Sequence, residues 1–254
     1  MRLLSLAPTQ TEILAALGAF DDLVGVSDNC DFPEAVKTLE RFGPWAAPDL
    51  HRVRSARPDL VCTFGRHQKE VADLLRSHGI TVYHSDPETI TEALETFRDL
   101  AALTHRAAEG ERLLGSLKGR LQAVRERAER IRRSKRPRVL RIMHWEPLIT
   151  VGPGAFQHDM IETAGAENIA ADGTAPYFAC DPEELARRDP DLIFFCDLAL
   201  LDRLPADPVW KTTRAVREGR LRVFDCGLTC RSGPRIVDMT EALQEAVLNP
   251  PPTP

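Results

Sequence analysis

"RPDLVCTF" at residues 57–64 returns as "DPDLIFFC" at 189–196. Each copy sets Pro-Asp-Leu in front of a short apolar run, the pattern of a strand buried on both faces of a parallel sheet. Each is preceded by a short helical segment, "DLHRVRSA" at 49–56 and "PEELARR" at 182–188. Working outward, the echo widens. "EILAALGAFDDLVGV" at 12–26 is answered by "DMIETAGAENIA" at 159–170, and "HGITVYHS" at 78–85 by "EGRLRVFDC" at 218–226. Alternating strand and helix makes each half a small α/β lobe. The expected fold is therefore α/β, with two Rossmann-like lobes, parallel sheets and a ligand cleft between the lobes. The expected division is 1–86 for the first lobe, 87–136 for a spanning helical segment, 137–248 for the second lobe and 249–254 for an extended tail.

The spanning segment is read from Leu114, Leu117, Leu121, Val124, Ala128 and Ile131, which recur at steps of three and four. Pro137 is expected to end that long helix, because it has no backbone N–H to donate. The chain has 254 residues, 43% of them apolar, which suffices for two such lobes. A net charge of −5 recruits neither nucleic acid nor anionic membrane. The basic face of the spanning helix carries no interleaved aromatics and reads as solvated. No run approaches the roughly 20 apolar residues of a membrane span. The opening "MRLLSLAPTQTE" lacks the features of a secretory signal, so the chain as written is expected to be cytoplasmic, or periplasmic or cell-surface if a signal has been removed.

Ligands of open α/β sheets bind at the carboxyl ends of the strands. The strand-end candidates in the first lobe are Ser5 to Thr9 (with Pro8), Asp28 to Cys30 (with Asn29), Phe64 to His67 (with Arg66), and His84 to Asp86. The second lobe offers His144, Trp145 and Glu146, then Cys196 and Asp197, then Asp225 to Arg231. No G-x-S-x-G, H-E-x-x-H or P-loop pattern occurs, so an enzyme is not expected.

"RLLSLAPTQTEILAALG", "LVGVSDNCDFP", "PDLVCTF", "ETAGAENIA", "PEELARRDPDLIFF" and "SGPRIVD" together resemble the class III, TroA-like solute-binding proteins of bacterial ABC importers. The vitamin B12 binders are nearest, ahead of the siderophore and haem binders. The resemblance implies a non-catalytic binding protein for a metal chelate, cobalamin or a related corrinoid. Trp45 stands at an aromatic that packs on the corrin ring, Asn29 at a tyrosine, and Phe64 and Tyr177 at tryptophans. Arg231 stands at an arginine of the last cleft loop. A broad flat ligand with amide edges suits aromatic walls and an arginine at the rim. The resemblance also implies docking onto a permease through one glutamate per lobe. Glu183 or Glu184 fits in the second lobe, whereas His51 stands at the first-lobe position.

The cysteines keep a second reading open. Cys62 and Cys180 read as small buried hydrophobes. Cys30, Cys196, Cys226 and Cys230 fall at strand ends or in loops, with no C-x-x-C pair among them. They are candidate ligands for a soft metal ion or an iron–sulfur cluster in an intracellular relative of the same fold. His67, His84 and His144 are candidate axial ligands to a chelated metal, with His144 foremost because Glu146 is at hand to fix its tautomer.

Overall fold

The computed structural model describes residues 1–249. The elements run β1 (Leu3–Ser5), α1 (Pro8–Ala16), β2 (Leu23–Val26), α2 (Leu50–Ser55), β3 (Leu60–Phe64), α3 (Lys69–Ser77), β4 (Val82–Ser85), α4 (Ile90–Leu103) and α5 (Ala107–Glu129). They continue with β5 (Arg138–Arg141), β6 (Ile149–Val151), α6 (Phe156–Thr163), β7 (Glu167–Asn168), β8 (Tyr177–Ala179), α7 (Pro182–Arg187), β9 (Leu192–Phe195) and α8 (Leu200–Ala206). The last are α9 (Arg214–Arg217), β10 (Leu221–Val223), α10 (Cys226–Thr229) and α11 (Ile236–Leu248).

Two compact units result. The first comprises Met1–Pro87, Thr91–Leu117 and Ser232–Pro234; the second comprises Glu88–Ile90, Lys118–Arg231 and the chain from Arg235 onward. The division falls inside α5, between Leu117 and Lys118, so the stretch 87–136 is shared out between the units and does not form a separate segment. The expected tail lies outside the described residues from position 250 on.

Each unit is built on a four-stranded parallel sheet, ordered β2-β1-β3-β4 in the first and β7-β5-β9-β10 in the second. In chain order within each half, both read second, first, third, fourth. The echo extends to single atoms. Asp59 Oδ2 accepts the backbone N–H of Arg2 at 2.7 Å, and Asp191 Oδ2 accepts that of Arg138 at 2.8 Å. Each aspartate thus ties the start of the third strand to the start of the first. Arg57 and Asp189, the residues before the two Pro-Asp-Leu runs, have φ of 46° and 47°. For an L-residue that conformation costs roughly 1–2 kcal/mol, and both copies of the motif keep it. Gly79 and Gly219, at φ 76° and 63°, turn the chain into β4 and β10 in the same matched way.

The first core gathers Leu4, Leu6, Phe42, Val53, Val61 and Leu75; the second gathers Leu140, Ile142, Ile193, Phe195, Leu200 and Trp210. The second unit adds the antiparallel pair β6–β8, which has no counterpart in the first. The long helix is shorter than expected. It spans 23 residues, about 35 Å at 1.5 Å per residue, and stops at Glu129, before Ile131 and well before Pro137. A separate 3₁₀ turn at Arg133–Lys135 follows.

Candidate functional site

In the second unit the carboxyl ends of β9 and β10 bring three thiols together. Cys196 follows β9 directly. After β10 the chain turns at Asp225, whose Oδ1 accepts the Gly227 N–H at 2.7 Å and so starts the single turn of α10. Four residues apart on that turn, Cys226 and Cys230 share a face, and their Sγ atoms lie 3.3 Å apart. The Sγ atoms of Cys196, Cys226 and Cys230 all lie within 4.8 Å of one another. Cys226 is exposed, the other two half-buried.

Behind them stands Arg141, the last residue of β5, which is 1% exposed. Its Nη2 reaches Cys196 Sγ at 3.1 Å, Cys230 Sγ at 3.6 Å and Thr229 Oγ1 at 3.4 Å, while Nη1 donates to the Ile142 carbonyl at 2.6 Å. The guanidinium lies over the Phe194 ring, 5.3 Å from its centroid. Hydrogen bonds from Cys196 and Cys226, reinforced by the Arg141 charge, hold the Cys230 thiol well below the usual range. The same contacts, to Cys196 and Cys230, push Cys226 up. Arg141 was not foreseen, although an arginine inside the apolar run "RVLRIM" is itself a signal, because a buried cation needs partners.

A polar chain leads from this loop to Tyr177. Gln157 is buried, donates through Nε2 to the Thr229 carbonyl at 3.3 Å, and accepts the Tyr177 hydroxyl at 3.0 Å. Tyr177 itself is exposed at 37%. Arg231, next to Cys230, is half-buried. His144 is exposed, and its tautomer is set by the Pro147 carbonyl, 3.0 Å from Nδ1, not by Glu146. A carbonyl only accepts, so Nδ1 is the donor in this contact, which leaves Nε2 outside it. Trp145 is half-buried against the second core and forms part of a pocket wall with Glu146, Leu148 and Asp181.

In the first unit, Trp45 is held by its backbone. Its N–H donates to Asn29 Oδ1 at 2.7 Å and its carbonyl accepts from Gln68 Nε2 at 2.7 Å. Gln68 is fully buried; it also donates to the Leu6 carbonyl at 2.9 Å and accepts the Phe64 N–H at 2.8 Å. One side chain thus ties together the ends of β1 and β3 and the loop bearing Trp45, leaving the indole half-exposed and edge-on to His67, with centroids 5.7 Å apart. Phe64 is half-buried beside them, and Arg66 lies 4.0 Å from Asp86. Pro8 and Thr9 open α1, with Thr9 buried. His84 is partly buried against Thr63 Oγ1 at 3.0 Å, and desolvation lowers its pKa.

Cys30 does not join the three thiols. It is 1% exposed inside the first unit, against Thr11 Oγ1 at 3.1 Å and Ser27 Oγ at 3.2 Å. The expected four-thiolate set is thus reduced to three, and an iron–sulfur cluster loses its fourth ligand. Cys62 is buried in β3 with its thiol pushed up to about 12. Cys180 is half-buried, with its thiol pushed up to about 11.

Residues 3–226 match the family described as periplasmic binding protein. An uncharacterised ABC transporter substrate-binding lipoprotein of Bacillus subtilis is 29% identical over 251 residues, covering 97% of this chain and 79% of that protein. A vitamin B12-binding protein of Yersinia pestis is 31% identical over 199 residues, covering 76% of this chain and 68% of that one. The solved structure of a periplasmic heme-binding protein from Roseiflexus superposes with a TM-score of 0.84 at 26% identity, covering 97% of each chain. These relatives overturn the cytoplasmic placement expected from the first residues. The family is described as periplasmic, the Bacillus relative as a lipoprotein and the Roseiflexus protein as periplasmic, and these point to a site of action outside the cytoplasm.

Proposed function

We propose, for a chain that belongs to the periplasmic binding protein family and is a substrate-binding protein of an ABC transporter rather than an enzyme, that the cargo is a corrinoid, cobalamin or a close relative. The observation that carries this reading is the 31% identity to a vitamin B12-binding protein across three quarters of the chain. The rigid mounting of Trp45 supports it. An indole fixed by two backbone hydrogen bonds and left half-exposed is a pre-organised platform for a flat macrocycle, and little entropy is lost when it is covered. Phe64 extends that apolar surface in the first unit. In the second, Tyr177 presents a ring braced by Gln157, and His144 offers Nε2 as a nitrogen donor to a chelated metal.

The test is a titration of the purified chain with cyanocobalamin and, separately, with haem. We expect saturable cobalamin binding that exceeds haem binding, and Trp45→Ala should weaken it by about 2 kcal/mol, roughly 30-fold. Tighter binding of haem would transfer the assignment to a haem cargo, in keeping with the heme-binding relative. Binding of neither would remove the chelate reading.

A further inference from the structure

We propose that Cys196, Cys226 and Cys230 form a three-thiolate site for a soft divalent metal ion of the zinc and cadmium class, separate from the chelate cargo. The first argument is distance. A zinc–sulfur bond is about 2.3 Å, so three sulfurs at corners of a tetrahedron about one ion stand about 3.8 Å apart. The three Sγ atoms already lie within 4.8 Å of one another, with one pair at 3.3 Å. Side-chain adjustments of a few tenths of an ångström up to about 1 Å bring them to that geometry.

The second argument is charge. Three thiolates around a divalent ion leave one net negative charge, and the guanidinium in hydrogen-bond contact with two of the sulfurs balances it. A monovalent ion would leave one negative charge uncompensated in this partly buried place, and a trivalent one would leave Arg141 without a counter-charge. Arg141 Nε, buried and without a hydrogen-bond partner among the described residues, marks a cation held there for what stands in front of it. Arg141 and Thr229 supply the outer contacts that orient ligating sulfurs. Hard ions such as magnesium and calcium want carboxylate or carbonyl oxygens, whereas the three clustered ligand atoms are all sulfur. The exposed thiol of Cys226 provides the entry path. With three protein ligands, the fourth corner stays open to water or an incoming donor, the pattern of an exchangeable site rather than a structural one. Binding exchanges protons for the ion: each protonated thiol that ligates releases its proton to solvent.

The experiment uses the full chain, reduced, stripped with a chelator and kept anaerobic, titrated with cadmium(II) alone. Sulfur-to-cadmium charge-transfer absorbance should saturate at one equivalent, reverse on adding zinc(II), and ignore magnesium(II). Cys226→Ser, at an exposed position, should lower the affinity at least about 100-fold, and Cys180→Ser should leave it unchanged. Absorbance that does not saturate at one equivalent, or undiminished binding in Cys226→Ser, would overturn the proposal. So would a Cys226–Cys230 disulfide that survives the reductant. Cobalamin affinity measured on the same metal-free samples keeps failure here distinct from failure of the cargo reading.

Discussion

Gln68 shows how much one buried amide can organise. It satisfies the Leu6 carbonyl, the Trp45 carbonyl and the Phe64 N–H at once. Replacing it with alanine leaves three backbone groups unpaired, at 1–3 kcal/mol for each that stays buried without water. We expect Gln68→Ala to lower unfolding stability by about 3 kcal/mol in a urea titration. Ligand affinity should also fall, because the loop bearing Trp45 loses its anchor; an unchanged affinity at reduced stability would mean that the indole does not touch cargo. Gln68 was not legible from the sequence, and of Arg141 only its oddity as a cation inside an apolar run was. A glutamine after a strand and an arginine inside one have no periodicity to betray them, and their importance comes from partners 23 to 89 positions away. Trp45, Phe64 and the thiols of the last loop were legible as strand-end and loop residues, but the enclosure of Cys30 was not. Whether a loop cysteine faces solvent or a hydroxyl-lined interior depends on packing that spacing does not encode.

At the scale of elements, the doubled Pro-Asp-Leu strand could be read before any coordinates because both copies obey the same local chemistry. An aspartate ties two strand starts, a left-handed residue precedes the proline, and an aspartate caps the helix before it. The end of α5 was misread because Ile131 continues the apolar spacing after the helix has stopped. Spacing reports which face is buried, not where the backbone ladder ends. In the second unit, that helix is clasped to α11 by Arg120, whose Nε meets Glu241 Oε1 at 3.0 Å and whose Nη2 reaches Asp238 and Glu241. The hydrogen bonds from Arg120 hold the Glu241 carboxyl below its usual value. All three side chains are partly exposed, so the clasp contributes modestly, and Arg120→Ala should cost about 1 kcal/mol in dilute buffer at pH 7. A lowered carboxyl pKa gives stability that is present above the unfolded value near 4.3 and lost as pH falls through the folded value. The difference between variant and parent should therefore shrink below about pH 4 and in 1 M salt, where screening acts within about 3 Å. Denaturation midpoints across that grid decide it; a difference insensitive to both would assign the loss to packing by the arginine stem.

For the whole molecule, membership of the ABC-transporter substrate-binding proteins implies a permease partner, and the resemblance to importer-type binding proteins implies docking through one glutamate in each unit. Of the two glutamates opening α7, Glu184 is already engaged with Arg188, which also pairs with Asp172. Among the described residues the Glu183 carboxylate has no ion-pair partner, and it stands exposed at the helix start. In the first unit the corresponding position is His51, exposed at the second residue of α2, and Asp49, two residues before it, is occupied as the helix cap. An exposed carboxylate at an interface contributes chiefly to the rate and register of encounter, and its effect fades with salt. We therefore propose Glu183 as the docking group of the second unit, acting without a carboxylate counterpart at position 51. Glu183→Ala should leave affinity for the proposed cargo in solution unchanged and reduce its uptake into vesicles carrying the cognate permease by about tenfold at low salt. The gap should narrow as ionic strength rises. Equal uptake by variant and parent at every salt concentration would place the docking surface elsewhere, and a fall in cargo affinity would make Glu183 part of the ligand site instead.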